Sequence, residues 1–432
     1  MTGRRVAWWD AALYGASALV AAATAVYDSI PLLADWGRRA IVPYALGALA
    51  AAGLAASWRR VSERGRSIGR AVVLGAVFIG AVLVPLALNI AARQRGPEPH
   101  AQSETLLTEE AAAAFVRGEN PYDVSYEDGP LGRWPSKNWL HLPYLPGILV
   151  FGLPHALSGQ TPLADARLIF LTAAAAVTLV GLRLSKAPPD RLLTAVMVLL
   201  VLPTGARYIA GGGDDIVVLA LMLLALVLAT RSQPLAAGVI LGLAAAIKQT
   251  AWPLLPFLIV AAQDRRRRRA TGRALAGAGA VLVPVILPLL AWGPAAFVED
   301  TVLYPLGLTE ERTLAGSPTI GHLLGRAFPS ARGPLLVVLS ASVLIVGAYL
   351  LIRRSPATPA AAADHTAIVF TLAVFLATAG RFGYLIYPLN LLIWSRLLLR
   401  PPQQSQVPAS GGTAYATASS TDMASPSAKS FS

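Results

Sequence analysis

Cysteine is absent from the 432 residues, so neither a disulfide framework nor a thiolate metal site is available. Charge is scarce, at 14% against 55% hydrophobic residues, which excludes an ordinary soluble domain. Strict apolar–polar alternation is missing as well. The apolar runs are continuous, and several approach the ~20 residues that a helix needs to cross a bilayer. Lipid offers no partner to an unpaired backbone amide, so continuous runs mean helices and exclude a barrel. No Gly-rich phosphate loop or Rossmann-like stretch is present to hold a nucleotide. No clear internal repeat stands out either. What remains is an all-α polytopic membrane protein.

Basic residues set its expected orientation. Cytoplasmic loops collect Lys and Arg, which assigns Arg4 and Arg5, residues 59–70 and 183–191, Arg231, the "DRRRRR" run at 264–269 with Arg273, Arg353 with Arg354, and Arg396 with Arg400 to the inside. The net charge of +13 therefore reports orientation and not nucleic-acid binding. This parity predicts about twelve spans with both termini cytoplasmic and a long outer loop over 93–145. The first apolar run is read as an uncleaved span and not as a signal peptide. One transmembrane domain covers 1–400, and the Ser-, Ala- and Pro-rich residues 401–432 read as a disordered cytoplasmic tail. Two stretches, around Lys248 and around Gly380 and Arg381, must go out and back in few residues, which predicts short helical hairpins with basic tips at a cavity reaching into the bilayer. Snorkelling to the headgroups is the bland alternative for both tips. The run 142–159, broken by Pro143, Pro146 and Pro154, should not cross.

The polar chemistry falls on the outer side. "TEEAAAAFVRGENPYDVSYEDGPLGRW" at 108–134 carries six carboxylates interleaved with Tyr122, Tyr126 and Trp134, with Trp139 and Tyr144 beyond. Rings that stack on sugar C–H faces beside carboxylates and the Asn120 amide suit a carbohydrate, while an interfacial aromatic belt is the alternative. "GGGDD" at 211–215 reads as a sharp turn that places Asp214 and Asp215 at a helix start, where capping explains one of them.

The 108–134 string with "HLPYLPG", then "GGGDDIVVLALMLLALVLATRSQPLAAGVILGLAAAIKQTAWPLLPF", "FVEDTVLYPLG" and "RFGYLIYPLNLLI", resembles bacterial GT-C membrane glycosyltransferases related to glycosyltransferase family 87, over roughly residues 95–395. The resemblance implies transfer of a sugar, mannose or similar, from a polyprenyl-phosphate carrier to a glycan or lipid-linked acceptor outside a bacterial plasma membrane, with inversion and no obligatory cofactor. A loop carboxylate, Glu104 or Glu109, would be the general base. Lys248 and Arg381, with Arg207 as a third candidate, would hold the donor phosphate, and Asn120, Tyr122, Tyr126, Tyr144, Asp214 and Asp215 would line the sugar and acceptor sites. The two aspartates alone are too few for a metal site, although a divalent cation is compatible with them. A multi-span transporter or lipid flippase, or a catalytically dead scaffold, are the rival readings from residues alone.

Overall fold

The computed structural model describes residues 3–96, 98, 100–133, 140–159, 161–261, 268–309 and 316–400. Trp134, Trp139, most of the 264–269 arginine run and the tail expected over 401–432 lie outside the described residues. Among those described there is no strand.

In chain order the helices are α1 (Gly3–Tyr27), α2 (Pro31–Ala56) and α3 (Glu63–Arg93), then α4 (Ser103–Val116) and α5 (Pro146–Ser158). They continue with α6 (Ala166–Ser185), α7 (Pro189–Val201 and Pro203–Gly211, bent by 48°), α8 (Asp215–Thr230), α9 (Pro234–Ile247) and α10 (Gln249–Ala261). Next come α11 (Arg268–Trp292), a helical stretch α12 over 294–306, α13 (Ile320–Ala327), α14 (Pro329–Ile352), α15 (Pro359–Leu376) and α16 (Ile386–Leu397). Seven helices among the described residues are long and apolar enough to cross a membrane, or eight with the bent α7. The expected twelve are reached only if the short α8, α9, α10 and α16 also serve as crossing legs.

The short helix α8 forms the centre. Its sequence, "DIVVLALMLLALVLAT", is apolar on every side, and every residue from Asp215 to Leu228 is buried. A helix without a polar face has to be surrounded. α6 and α9 flank it, and α11 lies outside α9. By contrast, the apolar window of α14 has no buried residue at all, so this helix stands at the rim.

Two polar ends follow from the pairing. At one end Arg70 of α3 bonds Asp10 of α1 and Asp190 of α7, and Asp364 at the start of α15 bonds Arg396 and Arg400 beyond the end of α16. These are loops that the basic bias assigns together. At the other end Arg93, closing α3, bonds Asp165, which caps α6. The chain thus returns to the end it left, with α5 packed along α4 between the two.

The two expected hairpins differ. α15 and α16 pack side by side with Arg381 in the connection, as the short spacing predicts. α9 and α10 diverge, the first onto α8 and α11, the second onto α15. Lys248 between them is extended, at φ −153°, and only 5% exposed, so it is no snorkelling tip.

Candidate active site

The glycine triplet creates the floor of the site. Gly212 adopts φ +115°, a left-handed geometry that favours glycine, and a Cβ there would run into Thr105 of α4 and Arg167 of α6. The turn is stitched to α4 by Thr105 Oγ1 donating to the Gly212 carbonyl at 2.8 Å and by the Gln102 amide donating to the Gly211 carbonyl at 2.7 Å. So tight a turn sets Asp214 and Asp215 beside Lys248. The ammonium lies 2.6 Å from Asp214 Oδ1 and 2.7 Å from Asp215 Oδ1. Neither aspartate is therefore only a cap; Asp214 at the N-cap makes no side-chain capping bond. Tyr387 donates to Asp215 at 2.6 Å, and Thr250 donates to Tyr387 at 2.6 Å. The Tyr144 ring lies 5.2 Å and the Tyr384 ring 5.6 Å from the ammonium, within cation–π range.

Beside this cluster opens a cavity of about 420 Å³, lined in part by Glu104, Tyr144, Lys248, Arg381, Tyr384 and His141. Glu104 sits in the first turn of α4 and accepts from Arg381 at 3.0 Å across 277 residues of sequence. His141 faces the same space, with Nδ1 2.7 Å from Asp300, which also accepts from the Leu142 amide at 2.7 Å. Burial pushes the Asp300 carboxyl up to about 6 against the pull of that amide and of His141. Gln249 closes one wall by donating to the carbonyls of Pro143 at 3.2 Å and Thr301 at 2.9 Å. The remaining wall is apolar, with Leu107, Trp252, Val302 and Leu306.

A second space of about 410 Å³ lies beside this cavity, between α14 and α15. It shares Pro305, Leu306 and Ala379 with the first and continues along Leu336, Leu339 and Val343. An apolar groove thus adjoins, across a shared wall, the cavity that holds Glu104 and Arg381.

Not every residue singled out in the sequence meets there. Glu109 is 1% exposed, and both its oxygens are taken by Arg93, at 3.1 and 2.6 Å, with the Ala166 amide at 2.9 Å. It belongs to a buried network with Asp165 and Arg167 and does not line the cavity. Asn120 accepts from the Tyr122 amide at 3.1 Å, in a local turn against Gly293. Tyr122 is buried, donates to the Tyr144 carbonyl at 2.9 Å and packs edge-on against Phe297, while Tyr126, also buried, donates to Pro121. These two rings brace the loop and are not an exposed platform. Arg207 bonds Tyr208 at 2.7 Å and stays outside the cavity lining. Asp214 and Asp215 lie behind Lys248. His141, Gln249, Asp300 and Tyr384 were not singled out in the sequence, although "HLPYLPG", "FVEDTVLYPLG" and "RFGYLIYPLNLLI" contain three of them.

A family model described as glycosyltransferase family 87 matches residues 142–379, more than half of the chain. No curated protein and no solved structure matches it. The matched span contains the glycine turn, Lys248, His141's neighbours, Asp300 and both helices of the apolar groove. A helical membrane chain with that match belongs to glycosyltransferase family 87 and is a membrane glycosyltransferase.

Proposed function

We propose that the protein transfers mannose or a similar sugar from a polyprenyl-phosphate carrier to a hydroxyl of a glycan or lipid-linked acceptor, on the extracytoplasmic face of a bacterial plasma membrane. One observation carries this reading: Glu104 and Arg381 share a cavity that has Pro305, Leu306 and Ala379 in common with an apolar groove. An isoprenoid chain suits the groove by burial of apolar surface, and its phosphate then meets the cations.

In this mechanism the acceptor oxygen attacks the anomeric carbon from the face opposite the phosphate, which inverts the centre. The anomeric C–O bond breaks, and its electron pair leaves on the carrier phosphate. The hydroxyl proton passes to the Glu104 carboxylate, help that contributes typically 10²–10⁴-fold. Glu104 stands 3.0 Å from Arg381. An arriving phosphate competes for that guanidinium, to which it bonds well in a fork geometry, and so releases the carboxylate to act as base. Lys248 has three N–H donors and spends two on Asp214 and Asp215, which leaves one for the phosphate. With its charge already met by two carboxylates, it contributes less than Arg381. The same pairing supports a reaction without an obligatory divalent cation, because an ammonium stands where such a cation would bind. Tyr144 and Tyr384 supply the rings for the sugar.

The test uses purified full-length chain with a panel of polyprenyl-phosphate sugars. The parent should consume one of them, and Glu104→Gln should lose transfer by at least ~10²-fold while still binding that donor. Parental turnover in Glu104→Gln would place the base elsewhere. Failure of the parent to consume any lipid-linked donor would overturn the donor class.

A further inference from the structure

A larger cavity, about 620 Å³, lies at the opposite end of the central helices. α8 begins at Asp215 and α9 ends beside Lys248, whereas this cavity is lined by Ala229 and Thr230 at the far end of α8 and by Pro234 at the start of α9. Roughly 15 residues of helix, about 22 Å, separate it from the catalytic end. It is the end to which the basic bias assigns the cytoplasm.

Its chemistry is divided. Arg269 and Arg273 stand one turn apart on α11 and both line it, together with Thr230 and Ser232. Among the described residues neither arginine has an ion pair or hydrogen bond. No described carboxylate lines the space, and two guanidinium groups do. The floor is apolar, formed by Leu258 and Ala261 of α10 with small residues of α9 and α11. Paired cations above a cleft between membrane helices match a phosphate that carries acyl chains, whereas inorganic phosphate gains nothing from the apolar floor. We propose that this cavity binds the phosphate headgroup of an anionic membrane lipid, seating the glycerol and first methylenes between α10 and α11.

The molecule contains its own control. A cavity of about 490 Å³ is lined by Arg4, Arg59 and Arg60 but otherwise only by Gly53, Ala56 and Ser57. It offers charge on a smaller lining, in which Gly53 and Ala56 are the apolar residues and no apolar side chain larger than alanine covers the base.

Delipidated full-length chain in detergent is titrated with dioleoyl phosphatidylglycerol, dioleoyl phosphatidylcholine and inorganic phosphate, and bound species are counted by native mass spectrometry. Two arginines at a lipid surface should favour the phosphatidylglycerol by about tenfold or more. Arg269→Gln/Arg273→Gln should abolish that preference, while Arg59→Gln/Arg60→Gln should keep it. Equal affinity for the two lipids overturns the proposal, as does an equal loss in both double variants, which would mean diffuse surface charge. Inorganic phosphate binding as tightly as the lipid overturns it in favour of a free-anion site. Should the Arg269/Arg273 variant fail to fold, a photoactivatable phosphatidylglycerol on the parent chain decides: crosslinks at 229–234 and 269–274 support the site, and crosslinks confined elsewhere refute it.

Discussion

Glu104 and Glu109 are five positions apart on α4, and their surroundings divide the work between them. Glu104 keeps a side-chain exposure of 12% and bonds Arg381 and its neighbour Ser103. Glu109 is sealed between Arg93 and the start of α6. Substituting Glu109 by Gln keeps the volume but leaves Arg93 short of one anion, and breaking a buried pair costs about 3–5 kcal/mol. Glu109→Gln should therefore lower the thermal unfolding midpoint in detergent well below that of Glu104→Gln. Transfer should remain measurable in the fraction that stays folded. The same reasoning applies to Lys248. In the sequence it reads as a cavity-mouth cation with little packing to lose; its burial against Asp214 and Asp215 means that Lys248→Met strands two buried carboxylates. Loss of a large part of the folding free energy is expected, again about 3–5 kcal/mol, with partial recovery in Lys248→Met/Asp214→Asn. Additive unfolding shifts in that double variant would refute the coupling. Glu104, Lys248, Arg381 and Tyr144 stood out in the sequence, while His141, Gln249 and Tyr384 did not. The partnerships were not legible there, because Lys248 and Asp214 are 34 positions apart and Glu104 and Arg381 are 277 apart, distances over which only the folded chain decides contact.

At the scale of elements, composition foretold most helices, since an apolar run in lipid has no other backbone solution. What composition left open was how closely elements approach. Gly152 of α5 lies so near α4 that a Cβ would run into the Thr108 carbonyl and come within 2.7 Å of the Ala112 Cβ. Gly152→Ala should push the two helices apart at a cost of about 1–3 kcal/mol, the usual range for overpacking. Because the first turn of α4 carries Glu104, kcat should fall more than donor KM rises. Gly75 of α3 is the comparison, with nothing within 4 Å of an added Cβ. Gly75→Ala should leave transfer unchanged and raise stability slightly, since Ala is favoured over Gly in a helix interior by about 0.5–1 kcal/mol. Equal behaviour of the two variants in unfolding and turnover would argue against α5 as the element that positions α4.

The described residues are polarised, with the candidate-site groups at one end and most of the basic loops at the other. Pairing within each end, Arg93 with Asp165 on one side and Arg70 with Asp10 and Asp190 on the other, groups the loops as the Lys and Arg bias requires. Grouping fixes which loops are neighbours, and orientation then follows from the positive-inside bias alone. The absence of cysteine makes that inference directly testable, because a single introduced thiol has no background. Ser125 is exposed in the turn after Tyr122, at the end of the candidate site; Ser62 is exposed at the other, where its hydroxyl caps α3 by accepting from the Gly65 amide at 3.2 Å. A membrane-impermeant maleimide added to intact cells should label Ser125→Cys and spare Ser62→Cys, with both labelled once the membrane is opened. Replacing the cap costs the α3 start roughly 1 kcal/mol, too little to disturb a span held by the buried Arg70 pair. The reverse pattern would put Glu104 and its cavity on the cytoplasmic side, where an extracytoplasmic acceptor could not reach them.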